Sequence, residues 1–444
     1  MIKKIVSYKT KQLVFILSIC IALIGCVPAD NTNSANTNTN TNSASENTNA
    51  DDDANMNANS DISLYTDEEE NISEEDVEKG RLDQDWKKFA EIDSPTEKNS
   101  KPNTEKWGDI NAENLNTKEQ YSPISGGEGS SVLRTQLLLD RTNFSPGIID
   151  GKWGKNTEKA VYWLQKSNGI PAHGEVDKKT FEKIIELAGK PDKLIVEHKL
   201  TAKDVEGKFE KLPADIYEKA KLDCMCYESL EEKLAETYHI SPALLKQLNP
   251  KVSIKDLKAG DTIMIPNLEG QSDKSGGSVA RIVVSDGGHF VHGLDSNDKI
   301  VVHYPSTLGS KYDPSPSGEY KITGIAKDPS WHYQPKLLNK GDGEDAMIPP
   351  GPNNAVGVMW MALSKPHYGI HGTSAPETIG YVTSSGCIRL TNWDALDLAG
   401  RVKAGTPVEF RDTANRSDDS ENSGNSNTEN KNSENKNTAN KNTK

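Results

Sequence analysis

The chain has 444 residues, enough for two or three domains, yet only 34% of them are hydrophobic, which excludes one large core. Its formal net charge is −14 with no dense basic stripe, which argues against nucleic acid as a partner. The apolar deficit is concentrated in two stretches: residues 30–60 are almost entirely Asn, Thr, Ser, Ala and Asp, and residues 412–444 repeat Asn, Lys, Thr, Ser and Glu. Neither carries enough apolar surface to offset the entropy of ordering it, so both are expected to stay solvated and disordered.

At the N-terminus Lys3, Lys4, Lys9 and Lys11 precede an apolar run from Leu13 to Ile24. The run is too short for a comfortable membrane span and reads as a secretory signal peptide over residues 1–25. It closes with Leu23-Ile24-Gly25-Cys26, which resembles the lipobox of bacterial lipoproteins. That resemblance implies cleavage before Cys26 and acylation of its sulfur, hence a membrane partner through a lipid anchor. Residues 26–125, Asn/Thr-rich and then acidic, are expected to form a disordered tether behind the anchor.

Residues 131–190 carry a helical pattern. Val132, Leu133, Leu137 and Leu138 fit one amphipathic helix, and Asn143-Phe144-Ser145-Pro146-Gly147 breaks it. Ile149–Gly154 is a turn, after which Thr157 is expected to cap a second helix with Ala160, Val161, Trp163 and Leu164 inward. Gly174-Glu175-Val176-Asp177 repeats the turn before a third helix with Phe181, Ile184, Ile185 and Leu187. The units IDGKWGKNTEKAVYWLQ and EVDKKTFEKII resemble the small three-helix peptidoglycan-binding domain found beside cell-wall enzymes.

Within residues 191–270, YESLEEKLAETYHISPALLKQLNP and LKAGDTIMIP resemble a LysM module, two helices between two short strands. The usual opening strand is replaced by Cys224-Met225-Cys226-Tyr227. Glycan binding and a spacer packed on the next domain both stay open for this module. Cys224 and Cys226 are spaced too closely for an unstrained bond to each other and read as structural. After a Gly/Ser/Asp linker at Gln271–Gly277 the pattern turns to short β-strands with one helix, Asn392–Ala399. The expected fold class is therefore multidomain. A small all-α three-helix domain and an α+β LysM-like module precede a mostly-β sandwich or barrel-like domain over residues 279–411, with a disordered tail at 412–444.

The chemistry concentrates in residues 367–396, HYGIHGTSAPETIGYVTSSGCIRLTNWDAL. A thiol attacks an amide as thiolate and needs a neighbouring base. All nine histidines precede Cys387, which excludes the papain-like chain order in which cysteine comes first. His371 stands sixteen positions before Cys387, between Ile370 and Gly372, a spacing that suits two neighbouring elements joined by a loop. The backbone N–H groups of Ser385, Gly386 and Cys387 are candidates for stabilising an oxyanion, with Gly386 leaving room for substrate. Arg389 shares a strand face with Cys387 and suits a substrate carboxylate.

His-Gly-Thr, a spacer, then Ser-x-Gly-Cys-Ile-Arg is similar to the active-site signature of the L,D-transpeptidase (YkuD) catalytic domain. PSGEYKI, PPGPNNAVGVMWMALSKPHYGIHG and CIRLTNWDA are similar to that family as well. Many members have histidine where this chain has Ser385. The resemblance implies Cys387 as nucleophile, His371 as general base, the Gly372 carbonyl as its orienting partner, and Arg389 and His367 at the substrate. It implies peptidoglycan stem peptides and glycan as partners, with no metal or diffusible cofactor. The implied reaction cleaves a stem tetrapeptide through a cysteine thioester and forms 3→3 crosslinks in the bacterial envelope. Water as acceptor would give L,D-carboxypeptidase activity, and another acceptor would give lipoprotein-to-wall attachment. The rival class is a non-catalytic wall-binding lipoprotein. The modular reading further predicts that deleting residues 131–190 weakens sacculus association while sparing reaction with a small soluble peptide.

Overall fold

The structure, a computed structural model, describes residues 103–117, 121–269, 278–338 and 340–412. The expected signal peptide, Cys26, the tether up to residue 102, the linker at Gln271–Gly277 and the tail beyond 412 lie outside them.

The ordered chain begins ahead of the expected bundle. Ile110 and Leu115, the latter on α1 (Ala112–Asn116), are buried, and Trp107 Nε1 donates to the Asp150 carbonyl at 2.8 Å. The last part of the expected tether is therefore packed. Its apolar residues are few and their partners lie far along the chain, so local composition does not announce them. The three helices follow as α2 (Ser130–Asp140), α3 (Lys155–Ser167) and α4 (Lys178–Leu187). Each of the first two presents a glutamine to the turn that follows. Gln136 Oε1 accepts from Gly151 N at 2.7 Å, and Gln165 Oε1 accepts from Gly174 N at 2.9 Å. Their amide nitrogens reach Thr157 Oγ1 and Thr180 Oγ1. Thr157 is thus buried inside α3 and is not its cap; Gly154 occupies that position.

Next, β1 (Ile195–Lys199) leads through an inserted segment bearing α5 (Ile216–Lys219) to α6 (Leu230–Thr237) and α7 (Pro242–Leu248). β2 (Thr262–Pro266) then pairs antiparallel with β1. A strand paired with β2 therefore precedes the two helices, about thirty residues before the place where the sequence pattern put Cys224-Met225-Cys226-Tyr227. Cys224-Met225-Cys226 belongs to the insertion, and the two cysteines form a disulfide. Their Cα atoms are 5.2 Å apart, within bridging range. Met225 N–H donates to the Pro350 carbonyl and its own carbonyl accepts from Asn353 N, both at 2.9 Å. One apolar cluster runs from Leu133, Trp163 and Ile184 of the bundle to Leu234, Leu245 and Ile263 of this βααβ unit.

The C-terminal strands are β3 (Arg281–Ser285), β4 (Phe290–Leu294), β5 (Ile300–Pro305), β6 (Leu308–Gly309), β7 (Gly318–Lys327), β8 (Trp331–Tyr333) and β9 (Ala346–Ile348). They continue with β10 (Met359–Leu363), β11 (Gly369–His371), β12 (Thr383–Ser384), β13 (Ile388–Arg389) and β14 (Pro407–Arg411), with α8 (Asn392–Ala399) before the last. Where a sandwich or barrel-like form was expected, eight of them join in one mixed sheet in the order β13-β11-β10-β7-β14-β3-β4-β5, flanked by β6–β12 and β8–β9 ribbons. The β11–β13 and β14–β3 pairs are parallel, and period-two patterning does not reveal strand direction. The bundle covers the β5 edge: His303 N donates to Asn143 O and Ser145 N to His303 O, both at 2.9 Å.

Candidate active site

The parallel pair β11–β13 sets Ile370 opposite Ile388 and His371 opposite Arg389. Partners across a parallel pair share a face, and so do residues two apart on one strand. His371, Arg389 and Cys387, which immediately precedes β13, therefore emerge on the same side of two adjacent strands. On the other flank of β11, Trp360 of β10 is the register partner of His371, and the rings stack at 5.4 Å between centroids.

His371 Nδ1 lies 2.6 Å from the Gly372 carbonyl. A carbonyl only accepts, so Nδ1 carries the hydrogen and Nε2 presents its lone pair. Nε2 is buried with no hydrogen-bond partner among the described residues. Burial first, then the Arg389 charge, pushes this imidazole down to about 3, with the Gly372 bond acting in the opposite direction. Cys387 is the free cysteine among the described residues and is fully buried. Burial pushes its thiol up to about 12, partly countered by the Gly369 backbone and the Arg389 charge. Its Sγ approaches the His367 carbonyl at 3.8 Å.

The other expected residues lie on the same stretch of chain. His367 sits at φ +69° with an exposed side chain, and its carbonyl, not its imidazole, faces the thiol. Gly386 has φ +106°, and a Cβ there would meet the Tyr368 ring at 2.9 Å, so the chain turn and Tyr368 both require glycine. Its N–H donates to Ser384 Oγ at 3.1 Å. Ser384 Oγ in turn donates to the Cys387 carbonyl at 2.6 Å. Ser385 and Arg389 are both buried beside the thiol. Cys387 belongs to one buried apolar cluster with Trp360, Trp331, Val356 and Ile348 from the sheet domain and Met225 from the disulfide-bearing insertion.

Residues 279–410 match the model of the L,D-transpeptidase catalytic domain (YkuD), and residues 128–184 match one described as "Putative peptidoglycan binding domain". "Putative L,D-transpeptidase YkuD" of Bacillus licheniformis is 33% identical over 179 residues, 40% of this chain and 92% of that protein. The chain belongs to the L,D-transpeptidase family. The Bacillus subtilis protein of the same name is 34% identical over 175 residues, covering 39% of this chain and 89% of that one. A solved L,D-transpeptidase from Xylanimonas cellulosilytica aligns with TM-score 0.28 and 15% identity over 66% of this chain and 98% of that one.

As an L,D-transpeptidase the protein is a transferase whose partner is peptidoglycan and whose place is the cell envelope. Sequence reasoning missed Asn392 in this site. It is buried, and its Oδ1 accepts from Thr373 N at 3.2 Å and from Val358 N at 3.1 Å. The signal was available in CIRLTNWDA, where an Asn follows the Thr391 helix cap, but helix-start chemistry accounts for that position without a site.

Proposed function

We propose that Cys387 is the nucleophile and His371 the general base of acyl transfer on peptidoglycan stem tetrapeptides. The observation that carries this reading is the shared face of β11 and β13, with Nδ1 tied to a carbonyl and Nε2 left as acceptor. Cys387 Sγ attacks the L,D amide carbonyl while its proton passes to His371 Nε2. The Gly372 carbonyl steadies the imidazolium through Nδ1–H, and the backbone N–H of Cys387 meets the developing oxyanion. The proton then goes to the departing D-alanine amine, leaving a thioester. A side-chain amine of a second stem displaces the thiolate, giving a 3→3 crosslink. Water in place of that amine would make the product a shortened stem. Arg389 pairs with a stem carboxylate and its charge favours the thiolate in the transition state.

Burial favours the uncharged form of both groups, so in this reading the proton passes to His371 as the thiol attacks. Cys26 is the proposed acylation site that holds the chain to a membrane. The βααβ arrangement supports the LysM-like reading of residues 191–270.

The test is covalent capture. Incubated with a carbapenem or a soluble stem tetrapeptide, the protein is expected to gain the mass of an acyl adduct. Cys387→Ala and His371→Ala should abolish the adduct by at least about a hundredfold, the usual contribution of a positioned base. Retained turnover in His371→Ala would remove the base assignment. No adduct on well-folded wild-type protein would favour a wall tether instead. Muropeptide profiles of cells with and without the protein then identify the acceptor.

A further inference from the structure

We propose that Glu236, on α6 outside the catalytic domain, is a positioning residue of the transpeptidase site that acts through Asn392. The proposal rests on His371 being the base. Glu236 Oε1 accepts from Asn392 Nδ2 at 2.8 Å and from the Tyr227 hydroxyl at 3.2 Å. Asn392 Nδ2 also reaches the Pro352 carbonyl at 3.3 Å. With acceptors on its nitrogen side, the Asn392 amide has one orientation, and its Oδ1 faces the N–H groups of Thr373 and Val358.

The Thr373 N–H and the Gly372 carbonyl belong to the same peptide unit. That unit is planar and trans, so its N–H and C=O point in opposite directions and turn together. Asn392 Oδ1 holds the N–H end, and the carbonyl end accepts from His371 Nδ1. A rotation that released one bond would misdirect the other. Gly372 itself is dictated by this arrangement, since a Cβ there would collide with Asn392 Oδ1. The line of contacts therefore runs from a carboxylate in the βααβ unit, through one buried amide and one peptide plane, to the ring nitrogen that sets the tautomer of His371.

Glu236 touches neither thiol nor imidazole, so its loss should act on the chemical step and leave substrate binding alone. In the full chain with a soluble stem tetrapeptide, Glu236→Ala is expected to lower kcat about threefold to tenfold, the worth of one such hydrogen bond, with KM unchanged. Glu236→Gln keeps an oxygen acceptor for Asn392 and should restore kcat to within about twofold. The nitrogen NMR signals of His371 should move toward a mixture of tautomers in Glu236→Ala and stay put in Glu236→Gln. The double variant Glu236→Ala/Asn392→Ala should be no slower than Asn392→Ala alone, because the two act in series. Unchanged kcat and imidazole signals in Glu236→Ala, or additive losses in the double variant, would overturn the proposal. If His371→Ala itself kept turnover, the base assignment would fail, a result independent of these four measurements.

Discussion

Burial moves the titration of the proposed nucleophile and base in opposite directions, each toward its uncharged form. The thiol of Cys387 is pushed up to about 12 and the imidazole of His371 down to about 3, in each case chiefly because a charge loses its hydration there. Alkylation of Cys387 by iodoacetamide should therefore keep rising about tenfold per pH unit through pH 9, since the thiolate stays a small fraction below its pKa. A plateau near neutral pH would mean a thiolate–imidazolium pair at rest. At this scale the sequence was legible where chemistry dictates the residue type. The short motif places Cys387, His371 and the Gly372 carbonyl, the proposed nucleophile, base and orienting group, at two adjacent strands. Asn392 and Glu236 were not legible, because an amide and a carboxylate that act through a peptide plane have no local pattern to mark them.

Elements tell a similar story one level up. Helices α3, α4 and α8 and most strands follow from periodicity and punctuation, since local hydrophobic spacing sets them. Strand β1 did not, because its partner β2 lies more than sixty residues away, with an insertion between them. That insertion bears on the site: Met225 belongs to the buried apolar cluster that contains Cys387, and its backbone is bonded to Pro350 and Asn353. Gly351 permits the contact, at φ +147°, because a Cβ there would collide with the Met225 carbonyl. Gly351→Ala should lift the disulfide-bearing segment off the site. The expected result is faster iodoacetamide labelling of Cys387 at fixed pH with the melting temperature lowered by a few degrees, roughly the effect of about 1 kcal/mol. Unchanged labelling would show that Met225 does not guard the thiol.

For the whole molecule, the question is whether the expected modules are separable. The bundle shares an apolar cluster with the βααβ unit, and Ile149 exchanges backbone bonds with His239 and Ser241 at 2.9 Å each. It also covers the β5 edge, and Trp163 packs against Phe290 and His292 of β4. Ser145 Oγ bonds Asp394 on α8 at 3.0 Å, and fully buried Lys159 donates to the His289 carbonyl at 3.1 Å. Deleting residues 131–190 would expose one side of the shared cluster, free an edge strand and leave buried polar groups without partners. Each of these costs on the order of 1–3 kcal/mol against a total stability of roughly 5–15 kcal/mol. The deletion is therefore expected to abolish cooperative melting and, with it, reaction toward a soluble stem peptide as well as sacculus binding. This reverses what the sequence pattern alone suggested, because a linear chain shows where modules begin and end but not what covers their faces. A deletion variant that melts cooperatively and forms the acyl adduct at the full-length rate would show that the sheet needs no bundle. In that event the bundle's contacts to β4, β5 and α8 would serve to aim the thiol at the wall and not to keep the sheet folded.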